Sequence, residues 1–334
     1  MLSRIREGRS WNNQKPHTHL QAGNGKNYTQ SDYEVLLSRR LTLLAKANPR
    51  VIDKFKHAPI VVGEKVLRDA LNNKIVEAYA QHTGQELCWY HADDRFHKAP
   101  LGNALRKRML RAKSNITDDA IGMLPLIPGM KVMITDNLAM RGKVANGCEG
   151  IIKDIKYEIN EYGHRRAICA YVLVPGAKIN APGLPPDIVP ILPETNSFKY
   201  KDPEGKIYYI TRTQLPLVPA YAFTANKIQG QSLELALVDL RSAKGTQALY
   251  VMISRAISLN NLAVLRWFPS GNVDRRLSPE YRNEFERLRL LDERTTDEFN
   301  KRKWRPATHR MPKNRQDVAP LKVDASANHS LAPN

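Results

Sequence analysis

Only three cysteines, Cys88, Cys148 and Cys169, occur among 334 residues, and none stands in a CxxC or Cys/His ligand spacing. Neither a disulfide framework nor a structural zinc is indicated, and a reducing compartment is expected. Long apolar runs are missing as well: nowhere do about 18 apolar residues follow one another, the length a membrane helix needs. Met1 is followed by Leu2, Arg4 and Arg6 with no apolar stretch of signal-peptide length, so a soluble, intracellular chain without a membrane partner is expected. Acidic residues are in deficit, 33 Asp and Glu against 52 Lys and Arg, for a net charge of +19 and a pI near 9.8. Such an imbalance favours a polyanionic partner, nucleic acid first, over a neutral small molecule. Basic proteins with merely soluble surfaces are the alternative that charge alone leaves open.

The length suits about two domains, and 42% apolar residues suffice for a core. Residues 1–30 read as a helix remnant followed by a polar loop. Ser31 or Asp32 then caps a helix carrying Val35, Leu36, Leu37 and Leu41 at helical spacing. The β-branched run 58–62 ends at Gly63 and passes into Val66, Leu67, Ala70, Leu71, Ile75 and Val76, a strand-to-helix unit of the kind that builds parallel sheets. Arg106, Lys107, Arg108, Arg111 and Lys113 form a basic run that reads as a solvated helix face or a phosphate contact. After residue 120 the texture changes to short strand-like runs split by Gly and Pro, expected to form a small antiparallel β-barrel over 121–218. Within it, residues 175–205 hold seven prolines and are expected to be an extended excursion without regular structure. Strand and helix alternation returns at 219–268, with buried strands at 235–240 and 262–267. A helix over 269–302, started by Ser278, Pro279 and Glu280, and a basic, disordered tail over 303–334 complete the order.

The most specific segment is Tyr221-Ala-Phe-Thr-Ala-Asn-Lys-Ile-Gln-Gly-Gln-Ser-Leu233. Its glycine, Gly230, lets backbone approach a phosphate, Gln229 can hydrogen-bond a terminal phosphate or its attacking water, and Thr224, Lys227 and Ser232 offer hydroxyl and cationic contacts. Taken alone, the string reads equally well as a Gln-Gly turn that starts a helix. About twenty residues on stands Gly245-Thr-Gln-Ala-Leu-Tyr-Val-Met-Ile-Ser-Arg-Ala256, in which Arg255 could be a helix-terminus residue or a cation aimed at a phosphate. The ordered pair resembles motifs V and VI of Pif-one/RecD-like DNA helicases of superfamily one. Leu124–Gly150, with the Asn146-Gly147 hairpin signal and Gly129, resembles the segment that opens the inserted barrel of that family. Asn137 is a weak DNA-contact candidate there. Arg6, Gly8, Thr29, Asp32, Arg39, Arg40, Arg68, Asp69 and Asn72 give a looser match.

The resemblance implies a RecA-like parallel-sheet motor domain, the second of the pair, begun by residues 1–120, interrupted by the barrel and resumed at 219–268. It implies Arg255 as arginine finger and Gln229 beside it as catalytic groups. Gly230, Lys227 and Ser254 would serve the nucleotide, with Ser254 positioning Arg255, and Thr224, Asn226 and Ser232 would serve DNA. Asn226 stands where the family usually has His, and Ala225 and Ile228 also depart from it. A GxxxxGK[ST] loop and an apolar strand ending in Asp-Glu do not occur, and Gly23-Asn-Gly-Lys-Asn27 lacks the spacing and the hydroxyl. ATP and Mg2+ are thus expected only with a complete first motor domain, in a nuclear or mitochondrial setting, and this chain as a truncated half inactive by itself. Expected partners are single-stranded or forked DNA and a first motor domain or intact helicase. The alternative is a non-catalytic DNA-binding remnant.

Overall fold

The computed structural model describes residues 1–7, 10, 17–20, 27–179, 182–274 and 276–301. Gly8, the Gly23–Lys26 string and the tail from residue 302 lie outside them. The chain divides into two units, 1–278 and 279–334.

Helix α1 (Leu2–Arg6), a hairpin of β1 (His17–Leu20) and β2 (Asn27–Gln30), and helix α2 (Asp32–Ser38) open the first unit. Helix α2 starts at Ser31 because a capping box satisfies its first amides: the Glu34 N–H donates to Ser31 Oγ at 3.2 Å, and the Ser31 N–H to the Glu34 carboxylate at 2.8 Å. Arg4 forks onto Asp32 at 3.0 and 2.6 Å and ties α1 to that start. Helices α3 (Leu41–Ala47) and α4 (Val51–Phe55), strand β3 (Ile60–Val62) and helix α5 (Lys65–Thr83) follow, which bears out the strand-to-helix unit.

Next come β4 (Cys88–His91), β5 (Asp93–Phe96), β6 (Ala99–Pro100), helix α6 (Asn103–Leu110), β7 (Met123–Leu126), β8 (Lys131–Ile134), β9 (Glu149–Ile159), β10 (Arg165–Leu173), β11 (Ile188–Ile191), β12 (Glu194–Lys201), β13 (Ile207–Gln214) and β14 (Leu217–Pro219). They pair antiparallel in open sheets of order β11-β10-β9-β8-β14, β12-β13-β5-β6 and β4-β7. Among the described residues no ring of strands closes, so the expected barrel is a set of open sheets. The antiparallel region also begins upstream of residue 121: β5 pairs with β13, and β4 with β7. The proline-rich excursion carries strands as well. Pro190 sits in β11, at a sheet edge where a missing N–H costs least, and β12 contains no proline.

Strands β15 (Ala222–Thr224), β16 (Ala236–Val238) and β17 (Leu262–Val264), with helix α7 (Gly245–Ile253) between the last two, return to the parallel sheet, order β15-β3-β16-β17. The fold is mixed α/β, as expected. Its parallel strands are short and bury alternate residues on opposite faces. Val61, Ala236, Val238, Leu262 and Val264 meet α2 and α7, while Leu237 and Ala263 meet Phe55 and the half-buried Leu41, Leu44 and Val51. A second core joins Val76 and Ala80 of α5 to Leu124, Val132, Ile152, Val172 and Ile191 of the antiparallel sheets. In the second unit, helix α8 (Pro279–Lys301) is exposed along most of its length; it starts at Pro279, beside the expected start signal at Ser278, and residues 269–278 before it are not part of it. No helix among the described residues is long and apolar enough to cross a membrane.

Candidate nucleic-acid interface and arginine site

Ligands of open parallel sheets sit beyond the C-terminal ends of the strands, and here β3 ends at Val62, just before Gly63, and β15 at Thr224. Gly63 is required by close approach. Its N–H donates to Ser242 Oγ at 2.8 Å, and a Cβ there would come 2.0 Å from the Ser242 carbonyl oxygen. Strand β15 is held by a side chain rather than by sheet pairing alone. Asn72, buried on α5, accepts from the Ala222 N–H at 2.7 Å and donates to its carbonyl at 3.1 Å. One amide thereby satisfies both backbone groups two residues before Thr224.

Beyond these strand ends lies a groove of about 530 Å³ whose walls include Lys65, Arg68, Thr135, Asn146, Thr224 and Lys227. Parallel-sheet elements supply one wall and the antiparallel region the other. Lys65 and Arg68 both pair with Asp119, and Arg68 also bonds Asp69 and Ser114, so these cations are locally compensated. Lys227 differs. Its ammonium donates to the neutral Asn146 Oδ1, and it has no ion pair among the described residues. Burial pushes its pKa below the ordinary lysine value, more than nearby Asp119 and Asp136 restore, while Arg68 adds to the lowering. A half-buried cation with no direct ion pair among the described residues, at the end of a parallel sheet, is a place for an anion.

Arg255 follows the last turn of α7 and is half-buried. Its guanidinium donates to the Val251 carbonyl at 3.0 Å, the Gln231 carbonyl at 3.0 Å and Ser254 Oγ at 2.9 Å. Its backbone joins the same neighbours, since the Leu233 N–H donates to the Arg255 carbonyl at 2.8 Å. The two sequence blocks that stand about twenty residues apart are therefore one hydrogen-bonded unit.

The expected site residues separate into three places. Thr224, Asn226 and Lys227 line the groove, which puts Lys227, expected on the nucleotide, with the expected DNA contacts. Arg255 and Ser254 lie together against the 228–231 turn. Gln229, Gly230 and Ser232 are exposed on that turn, where Gly230 takes φ +87°, a value suited to glycine. Asn137 is engaged locally, its Oδ1 accepting from the Asn146 N–H at 3.1 Å. Sequence reasoning missed Lys65 and Asp119. Lys65 carried a signal, since it opens a helix two residues after the glycine that follows a strand; Asp119 carried none. Among the described residues no cluster of three or more His, Cys, Asp or Glu could hold a metal ion.

No family model matches the chain. Curated relatives include the ATP-dependent DNA helicase PIF1 of Danio rerio, 29% identical over 147 residues, which is 44% of this chain and 20% of that protein. The ATP-dependent DNA helicase RRM3 of Saccharomyces cerevisiae is 34% identical over 82 residues, 25% of this chain and 11% of that protein. A solved structure described as the basis for DNA unwinding at forked double-stranded DNA by two coordinating Pif1 helicases matches with TM-score 0.50 at 15% identity. That match covers 87% of this chain and 51% of that one. The chain thus spans a fifth or less of these curated relatives in its matched segments, and about half of the solved one. It is related in sequence to Pif1-like helicases of superfamily one, and its mixed α/β fold resembles theirs.

Proposed function

We propose that this chain is the C-terminal half of an ATP-dependent DNA helicase of the Pif1-like type, coupling ATP hydrolysis to movement along single-stranded DNA. The groove takes the phosphate backbone of the strand, and Lys227, half-buried and bonded to a neutral amide in place of a direct ion pair, is the observation that carries this assignment. Thr224 and Asn226 add neutral contacts beside it. Arg255, with Gln229 and Gly230 on the adjoining turn, serves the nucleotide, Ser254 orienting the guanidinium. On this reading the loop that cradles the phosphates and the carboxylate that holds Mg2+ come from a first motor domain. ATP with its metal would supply the phosphoryl group and the driving energy; the residues here bind the strand and hold one guanidinium ready for charge that develops at the γ-phosphate.

The test is a salt titration of oligodeoxythymidine binding to the purified chain. Each neutralised phosphate of a single strand contributes about 0.7 to the slope of log affinity against log salt. Lys227→Met should lower that slope by nearly one contact and weaken binding at low salt. Undetectable or salt-insensitive binding would overturn the reading. ATP turnover by the chain alone, lost in Arg255→Ala, would instead rule out a non-catalytic remnant.

A further inference from the structure

A second cavity, of about 380 Å³, lies between α5, the C-terminal end of α6, β4 and β7. It is separated from the groove by a wall of hydrogen bonds: Arg68 on the groove side meets Asp69 and Ser114, which line this cavity. The Asp69 carboxylate is therefore already occupied. Val66, Ala70, Leu110, Met123 and Pro125 make the cavity largely apolar, and the half-buried indole of Trp89 lines it as well. The side-chain amide of Asn73, half-buried on α5, also lines it and makes no hydrogen bond among the described residues. Arg111 and Lys113, both exposed, stand at its rim, and Lys107 is exposed one helical turn before Arg111. None of these three cations has an ion pair among the described residues. They belong to the basic run that the groove leaves without a role.

We propose that this cavity receives an unstacked nucleobase of single-stranded nucleic acid, against the Trp89 ring, with the flanking phosphates on Arg111 and Lys113. The volume lies in the ~300–1,000 Å³ range of sites that take small organic ligands. An indole face accepts any base, an amide offers both a donor and an acceptor to a base edge, and unpaired cations suit phosphate. A purely apolar ligand would use neither Asn73 nor the cations. The inference rests on the reading of the chain as a single-strand binder and gives it a second contact, outside the groove.

The experiment compares binding of a labelled oligodeoxythymidine with that of an abasic oligonucleotide of equal length, both to the full chain. Trp89→Ala should weaken the thymidine probe about 5- to 150-fold and leave the abasic probe unchanged. Trp89→Phe should retain most of the affinity, and Asn73→Ala, a mild change on a helix surface, should show a smaller but equally selective loss. Arg111→Ala with Lys113→Ala should weaken both probes alike. If wild type binds the two probes equally and neither Trp89→Ala nor Asn73→Ala discriminates between them, the base pocket is refuted while the groove reading stands. If wild type binds neither probe, both fall.

Discussion

Arg212 of β13 and Asp94 of β5 form a two-pronged ion pair, at 2.6 and 2.7 Å, with side chains only 1% and 0% exposed. The same guanidinium donates to the carbonyls of Ala120 at 2.6 Å and Met109 at 2.9 Å. It therefore fastens α6 and the segment leading to Asp119 onto the sheet. Arg212→Met keeps an apolar stem of similar length and strands the Asp94 carboxylate and two carbonyls. Breaking a buried pair from one side costs about 3–5 kcal/mol. With a urea slope of about 2–3 kcal/mol per molar, the unfolding midpoint should fall by about 1–2.5 M. The assay is urea unfolding followed by circular dichroism. The double variant Asp94→Leu with Arg212→Met should recover at least half of that loss, because apolar replacement of both partners leaves no stranded charge. A midpoint shift under about 0.3 M, or a double variant no better than the single one, would refute the assignment of stability to this pair. Amide exchange at residues 109–120 should also quicken selectively in Arg212→Met.

Three further outcomes follow from other contacts. His91 and His164 stack with ring centroids 4.1 Å apart, and burial foremost, then each ring's charged neighbour, holds both imidazoles below the ordinary value of 6.5. A lowered folded value means that the unfolded chain binds protons first, so stability is complete above pH 6.5 and falls as pH drops below it; urea unfolding at pH 7.5 and 5.5 should show the loss, and His164→Phe should flatten it. Asn72→Ala strands the N–H and carbonyl of Ala222, at about 2 kcal/mol, which should lower the melting temperature by about 4–6 °C; an unchanged value would mean that β15 does not depend on this amide. Arg255→Ala should destabilise the chain by about 1–2 kcal/mol without any nucleotide, and Arg255→Lys should recover little because an ammonium cannot reach three acceptors in a fork; a melting temperature insensitive to both changes would show that the guanidinium holds nothing locally.

What was legible in the sequence was local. The helix start at Ser31 or Asp32 and the unit β3–α5 are written in neighbouring residues; both stand where expected, Ser31 being the cap, with Glu34 completing a capping box. The start of the antiparallel region was not legible. Strand β5 reads Asp93-Asp94-Arg95-Phe96, a polar loop by composition, and Asp94 can be buried only because Arg212 arrives 118 residues later. The apolar run 248–253 could be strand or helix by composition alone. It is helix, and the spacing of its buried residues, Leu249, Met252 and Ile253, agrees. The groove shows the same division. Thr224, Asn226 and Lys227 are consecutive enough to be noticed, whereas Asp119 enters through a turn with φ +65° and owes its place to Lys65 and Arg68.

The turn between Thr224 and Leu233 is fixed at both ends and exposed in the middle. At one end Asn72 holds β15, and Lys227 bonds across the groove to Asn146. At the other, the Leu233 amide meets the Arg255 carbonyl and the Arg255 guanidinium meets the Gln231 carbonyl. Under the helicase reading, a γ-phosphate held by another domain competes with Gln231 and Val251 for that guanidinium. Reaching out must release those carbonyls, and each released bond to a charged donor weighs about 1.5–3 kcal/mol before water replaces it. A phosphate gains enough from a desolvated, two-pronged contact to offset this, while a neutral ligand does not. The same guanidinium would then serve as finger and as latch: its departure would remove the side-chain bonds on the 228–231 turn, which follows directly on Thr224, Asn226 and Lys227 of the groove.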